Sequence, residues 1–420
     1  MVSFYSLVVY VLSYIGLFAV SFYAINLLFY YKKEKDEKLS SDKSVTIIIP
    51  AYNEEAGIVR TIKSALEIDY PRSKKEIIVV DDGSKDKTYE LALRYKSKKN
   101  NVRVFTKKNG GKASALNFGI EKARGEIIIT MDADSFVKKD SLKRMIPFFE
   151  DKRVMCVSPS MAVYKPRGLW NRIVQIEYFV GVFLRKSFAT INAIHVTPGA
   201  FSSYKKEFFL KHEGFQVGNI TEDLELALRI QSHGYRIENS PKSVAYTFSP
   251  EKFKDLLYQR RRWYIGLARN LWNYKRLFGF KRGPLGYLVL PIAVVSIFAS
   301  VFLTIYMTSK GVFHLWNELL DLGSVNFKFN NYFEFNGFLF ERLFFSLFSK
   351  PIFLISVLFI CLLVFYVYFA KRQMLYEEEI RINLVFFVLF YALLFSFWWV
   401  VSFIYLIFNK KVAWRAPDGV

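Results

Sequence analysis

The sequence predicts an α/β domain, with a mainly parallel sheet and helices on both faces, joined to an α-helical transmembrane region. Three observations predict it. Between Ser44 and Asp134, four β-branched runs alternate with amphipathic stretches, the pattern of strand–helix–strand units in a parallel sheet. Outside that block lie four uncharged apolar stretches, 4–30, 285–308, 351–370 and 382–408. Each reaches the roughly 20 residues that cross a bilayer. The composition is also divided, with 52% hydrophobic and 18% aromatic residues beside 23% charged residues and a net charge of +22. A polar domain attached to membrane spans gives such values, and one uniform globule does not.

In chain order, 1–31 is read as an N-terminal transmembrane helix. Its first residues, MVSFYS, carry no positive charge and no small-x-small site follows, so it is not read as a cleaved signal peptide. The lysines after it favour an N-out, C-in anchor, which places 32–283 in the cytoplasm. Within that region 32–250 is the soluble domain and 251–283 a set of interfacial helices carrying QRRRW. The remainder, 284–420, is a membrane region with about three transmembrane helices and one interfacial helix over Asn331–Ser349. That last segment carries Glu334, Glu341 and Arg342; if it spans instead, the C-terminus changes sides. Cys156 and Cys361 imply neither a disulfide framework nor a cysteine metal site.

The soluble domain starts with the strand SVTIIIP (Ser44–Pro50) and the helical stretch EEAGIVRTIKSALEI. EIIVVDD (Glu76–Asp82), VRVFTK and EIIITMDAD (Glu126–Asp134) are the next three strands, and GKASALNFGIEKAR is a helix between the last two. Polar residues collect at the strand ends, as AYNEE, DDGS and DAD. Ligands bind at the carboxyl ends of strands in such sheets, and helix capping accounts for only one or two of these acids.

Each motif carries two readings. In MDADS, Asp132 and Asp134 stand two apart at the end of an extended segment and project the same way. They form either a hard oxygen site for Mg²⁺ or Mn²⁺ on a substrate diphosphate or a pair of turn and cap aspartates. Asp82 either accepts from a nucleobase or makes an ordinary Asp-Gly turn with Gly83. Tyr52 and Glu54 either meet a base or start a capped helix. Lys112, at a helix start after two glycines, suits an anionic ligand. An ATPase loop is excluded, because NGGKASALN lacks the spacing GxxxxGK[ST]. Thr221, Glu222 and Asp223 make either a helix cap or a site with Asp223 as general base. QRRRW is either a basic membrane collar or a functional helix face. Gln259 and Trp263 share that face with Arg262 beside them; arginine suits a diphosphate and tryptophan a sugar ring.

In order, PAYNE, DDGS, KASALN, DAD, TED and QRRRW resemble the membrane-embedded family-2 glycosyltransferases. That group includes the chitin-oligosaccharide, hyaluronan, poly-N-acetylglucosamine and cellulose synthases. The resemblance runs from about Val45 to Gly266, and QRRRW fits that group's QxxRW. It implies a nucleotide-diphospho-sugar transferase domain of the GT-A type and a metal-dependent inverting hexosyltransferase. Its donor is a UDP-sugar, with GlcNAc or glucose as the sugar, and its product a β-linked polysaccharide extruded across the membrane.

Residue by residue, the resemblance implies that Ala51, Tyr52, Glu54, Asp82, Lys112 and Asp132 hold the nucleotide, and that Asp134 with Asp132 holds Mg²⁺ or Mn²⁺. Asp223 is the catalytic base with Glu222 beside it, and Gln259, Arg262 and Trp263 line the acceptor end. HVTPGAFSSYKK borders the acceptor, with Gly199 allowing close approach. Arg260 and Arg261 fall outside the motif and are read as lipid-facing. The partners implied are the UDP-sugar, a glycan or lipid-linked acceptor and the bilayer, with no nucleic acid and no obligate protein partner. The alternative is transfer of one sugar to a membrane lipid, as in the similar ceramide glucosyltransferases.

Overall fold

A computed structural model describes residues 4–31, 43–324, 351–410 and 412. The expected interfacial helix at 331–349 lies outside the described residues. Eight strands form one sheet in the order β3-β2-β1-β4-β7-β6-β8-β5. They are β1 (Val45–Ala51), β2 (Lys75–Asp81), β3 (Val102–Thr106), β4 (Ile127–Thr130), β5 (Phe136–Val137), β6 (Val154–Val163), β7 (Ser203–Lys205) and β8 (Arg236–Thr247). β3, β2, β1 and β4 run parallel, as do β6 and β8. β7 is antiparallel to both β4 and β6, and β5 to β8, so the sheet is mixed.

The central strands are covered on both faces, and their alternation shows how. Ile47, Ile49, Ile77, Val79, Ile127 and Ile129 pack with Ile58, Ile62 and Ala65 of α2 (Ile58–Glu67) and with Leu142 and Met145 of α5 (Ser141–Met145). The intervening Ile48, Ile78, Val80 and Ile128 pack on the opposite face. Their partners come from α4 (Lys112–Lys122), α7 (Lys206–His212) and α8 (Glu222–Ser232). Burial on both faces is why these strands read as unbroken apolar runs. α3 (Thr88–Leu93) completes the first half of the domain.

The fourth strand is shorter than the sequence suggests, ending at Thr130 rather than Asp134. The Ser135 N–H bonds the Asp132 carbonyl at 3.0 Å, which closes a turn. The buried Thr61 hydroxyl of α2 donates to the Ala133 and Ser135 carbonyls at 2.7 and 2.8 Å and holds that turn down. Asp132 and Asp134 are therefore brought together by a turn, not by strand alternation.

Four helices among the described residues are long and apolar enough to cross a membrane. They are α1 (Phe4–Tyr30), α10 (Leu290–Ser324), α11 (Pro351–Gln373) and α12 (Arg381–Ile407). Between them and the sheet lie α6 (Gly168–Thr190) and α9 (Phe253–Asn273). Phe183 of α6 stacks on Tyr366 of α11 at 3.6 Å and packs among Ala19, Tyr23 and Leu27 of α1. Tyr264 of α9 stacks on Trp399 of α12 at 4.6 Å.

The expectation that Arg260 and Arg261 face lipid is wrong. Arg260 is fully buried and Arg261 is 9% exposed. The reason is local: Tyr258 and Tyr405 lie against the Arg261 guanidinium at 4.7 and 4.2 Å, while Arg260 is paired with Glu177 of α6 at 2.5 Å.

Candidate active site

The loops at the carboxyl ends of β1 and β2 are knitted together. The Asp82 N–H donates to the Ala51 carbonyl at 2.8 Å and the Asn53 N–H to the Ser84 hydroxyl at 3.0 Å. The Lys85 N–H donates back to Asn53 Oδ1, and the Glu54 N–H donates to Thr88 Oγ1. Tyr52 and Glu54 are thus fixed, half-buried, beside the second loop.

Asp82 is buried, and its carboxylate accepts from Lys107 Nζ at 2.7 Å and from the Gly110 and Gly111 N–H groups. It ties the end of β2 to the loop that starts α4. Gly111, at φ +84°, turns that loop into the helix whose first residue is Lys112. Lys107 in this role escaped the sequence reading; a lysine three residues before GGK carries no signal of its own.

Lys112 is the centre of the site. Its ammonium lies 2.6 Å from Asp132 and 3.4 Å from Glu222. Burial alone would lower its affinity for a proton; the carboxylates of Asp132, Glu222 and Asp223 outweigh that and raise it. Gly199 faces the same group: a β-carbon there would stand 2.9 Å from Lys112 Nζ, 3.0 Å from Asp223 Oδ2 and 3.7 Å from Asp132 Oδ2. Three charged groups from three elements therefore converge on one glycine, whose carbonyl accepts from Thr130 Oγ1 at 2.8 Å.

The surrounding acids are held off their ordinary values. Burial, then Glu222, pushes Asp223 up to about 6. Burial and Asp132 push Asp134 up to about 6. Burial, Asp134, Asp132 and Asp86 push Glu54 up to about 7. Glu54, Asp132 and Asp134 thus form a pool of carboxylates that Lys112 neutralises only in part.

α9 closes the site from the membrane side. Arg262 donates to the Ile220 carbonyl at 3.2 Å, just before Thr221 and the start of α8, which carries Asp223. Asn270 Nδ2 donates to Thr221 Oγ1 at 3.0 Å. Gly266 lets α9 approach: a β-carbon there would stand 2.2 Å from Thr221 Oγ1. Gln259 and Trp263 are half-buried, and the Arg260 guanidinium lies over the Trp263 ring at 4.3 Å. The structure therefore gathers Glu54, Lys112, Asp132, Asp134, Glu222 and Asp223, and ties the helix carrying Gln259, Arg262 and Trp263 to the start of α8, which carries Asp223.

The family model described as "Glycosyl transferase family 2" matches residues 46–212. The poly-beta-1,6-N-acetyl-D-glucosamine synthase of Staphylococcus aureus (strain COL) is 30% identical over 66% of this chain and 67% of its own. The synthase of the same name from Staphylococcus epidermidis is 30% identical over 55% of this chain and 57% of its own. Among solved structures, a Pyrobaculum calidifontis mannosyltransferase in complex with GDP-Man and Mn²⁺ superposes with a TM-score of 0.54 at 22% identity. That match covers 88% of this chain and all of the mannosyltransferase, and it bears out the GT-A fold with its mixed sheet. On the sequence match to these synthases and on that fold, the chain belongs to glycosyl transferase family 2.

Proposed function

We propose that this protein is an inverting glycosyltransferase that moves N-acetylglucosamine from a UDP-linked donor to a growing β-linked polysaccharide. The observation that carries the reading is the convergence of Lys112, Asp132 and Asp223 on Gly199. Its relatives among the poly-beta-1,6-N-acetyl-D-glucosamine synthases support N-acetylglucosamine as the sugar and a β-1,6 linkage.

Ala51, Tyr52, Glu54 and the loop held by Asp82 receive the nucleotide, and Lys112 and Arg262 offset the diphosphate charge. An acceptor hydroxyl is a poor nucleophile at neutral pH, so Asp223 takes its proton as the oxygen bonds the anomeric carbon. The bond from that carbon to the diphosphate oxygen breaks, and UDP leaves with the electron pair. Glu222 lies on the Lys112 ammonium and keeps it beside the base. One base with no covalent nucleophile makes the displacement direct, so an α-linked donor gives a β-linkage. Trp263 and Gln259 carry the acceptor sugar.

The residues fit a divalent cation. Asp132 and Asp134 offer hard oxygen donors beside Glu54, and burial first, then the neighbouring carboxylates, raises the proton affinities of Glu54 and Asp134. Among the described residues no group of three or more His, Cys, Asp or Glu side chains is disposed to hold a metal. Asp132 and Asp134 would therefore hold Mg²⁺ or Mn²⁺ jointly with the donor diphosphate. When bound, that ion supplies charge stabilisation to the leaving group.

The four apolar helices support a multi-pass membrane protein, and the lysines after α1 favour a cytoplasmic catalytic domain. The test is nucleotide release by the detergent-purified protein from UDP-GlcNAc, UDP-glucose and GDP-mannose with Mg²⁺ or Mn²⁺, followed by sizing of the product. The reading predicts UDP release from UDP-GlcNAc and a long polymer. A single-sugar glycolipid would move the protein to the lipid-acceptor alternative, and release from GDP-mannose alone would overturn the donor assignment.

A further inference from the structure

Arg260 is the second residue of QRRRW, and its side chain is fully buried. Its Nη2 lies 2.5 Å from Glu177 Oε2, and its Nη1 donates to Gln259 Oε1 at 3.3 Å. The guanidinium lies over the Trp263 ring at 4.3 Å and 5.6 Å from the ring centre of Trp398. The other Glu177 oxygen accepts from the Tyr391 hydroxyl at 3.3 Å. One charged cluster therefore joins α6, α9 and the membrane helix α12 directly behind the tryptophan of the motif.

Stability does not explain it. A buried ion pair is commonly no more stabilising than apolar side chains of the same volume, because both charges lose their water. The site is rich in apolar and aromatic neighbours, among them Val174, Leu256 and Trp399, so an apolar filling was open to this sequence. What a planar guanidinium adds is direction: paired on its edge and stacked on its face, it fixes the plane of the ring it covers.

We propose that Arg260, Glu177 and Tyr391 are positioning residues through which α12 sets the plane of the Trp263 ring, and with it the grip on the acceptor sugar. The inference rests on the reading of Trp263 as the acceptor platform. It assigns to these residues a control over how long the acceptor is retained, separate from donor binding and from proton removal at Asp223. Tyr391 lies on α12, one of the helices long and apolar enough to cross a membrane, so that helix is linked to the Trp263 ring through one carboxylate.

The experiment compares wild type with Glu177→Gln, Tyr391→Phe, Arg260→Lys and Trp263→Phe in detergent. Three quantities are read: UDP affinity, product length from UDP-GlcNAc, and acrylamide quenching of Trp263, isolated as the difference from Trp263→Phe. Glu177→Gln and Tyr391→Phe are expected to bind UDP within about twofold of wild type while shortening the product several-fold. Both should leave Trp263 more readily quenched. Arg260→Lys keeps the charge and loses the planar stack, so it should behave like Glu177→Gln. Unchanged product length with unchanged quenching would overturn the proposal, as would restoration of both by lysine. The quenching needs no turnover, so a wild type that makes no polymer would fail the functional reading and still leave the positioning readable.

Discussion

The Lys112 ammonium and the Asp132 carboxylate meet at 2.6 Å across the carboxyl ends of the central strands. This pair carries the first residue of a helix to the turn after the fourth strand, and Glu222 joins it at 3.4 Å from the helix that bears Asp223. Removing the lysine leaves three carboxylates facing one another. Lys112→Gln is expected to lower UDP release by 10²-fold or more, in the range of losing one preorganised charge donor at a reacting centre. It should also move the acid limb of the pH profile upward, since Lys112 is the cation that lowers the proton affinity of Asp223. Rates and pH profiles on the purified variant check both; an unmoved profile would separate the lysine from the base.

The raised acids make stability depend on pH in a definite direction. Burial and the neighbouring carboxylates push Asp134 and Asp223 up to about 6 and Glu54 up to about 7 in the folded protein, against roughly 4 in the unfolded chain. Between these values the folded state holds protons that the unfolded state has released. Their contribution to stability is therefore complete below roughly pH 4 and is lost as pH rises through 6 to 7. Without metal, Glu54→Gln should gain in melting temperature relative to wild type as pH rises from about 5 to 8. Mn²⁺ should narrow that gap at the upper end. A difference that does not change with pH would contradict the shared-charge account.

The half of the sheet formed by β1 to β4 was legible because its strands are unbroken β-branched runs, buried on both faces. β6 and β8 were not, and the reason is visible in their residues. Ser158, Ser160, Asn239, Ser240 and Ser243 lie on these strands with no exposure at all, and such polar interruptions hide the strand pattern. Asn239 Nδ2, for example, donates to the Ser158 carbonyl at 3.1 Å. The polar strand ends, legible in the sequence, are where the structure gathers Glu54, Lys112 and Asp132, while the turn that pairs Asp132 with Asp134 depends on Thr61, 72 positions before Ala133. The three arginines misled for a related reason. A run of basic residues before an apolar stretch looks like a lipid collar, and only the placement of Glu177 and Tyr405 shows that two of them face inward.

The close approach of α9 to the start of α8, which carries Asp223, depends on Gly266. A methyl group there would meet Thr221 Oγ1 at 2.2 Å and Cγ2 at 2.5 Å. Gly266→Ala is expected to destabilise by about 1–3 kcal/mol, as for an overpacked contact. It should also lower turnover by shifting Arg262 and Trp263 away from the base. Melting temperature and UDP release measured together check this, and loss of neither would show that the helices yield without moving the site.

The measurement that tests the central claim most directly is UDP release from UDP-GlcNAc with Mn²⁺ by wild type and Asp223→Asn, with UDP affinity measured on both. The account predicts that the variant binds UDP like wild type and releases it 10²- to 10⁴-fold more slowly, the usual contribution of a positioned general base. In wild type, the rate should fall below about pH 6 as Asp223 gains its proton. A variant that keeps its rate would contradict the assignment of Asp223 as the base, whatever the product proves to be.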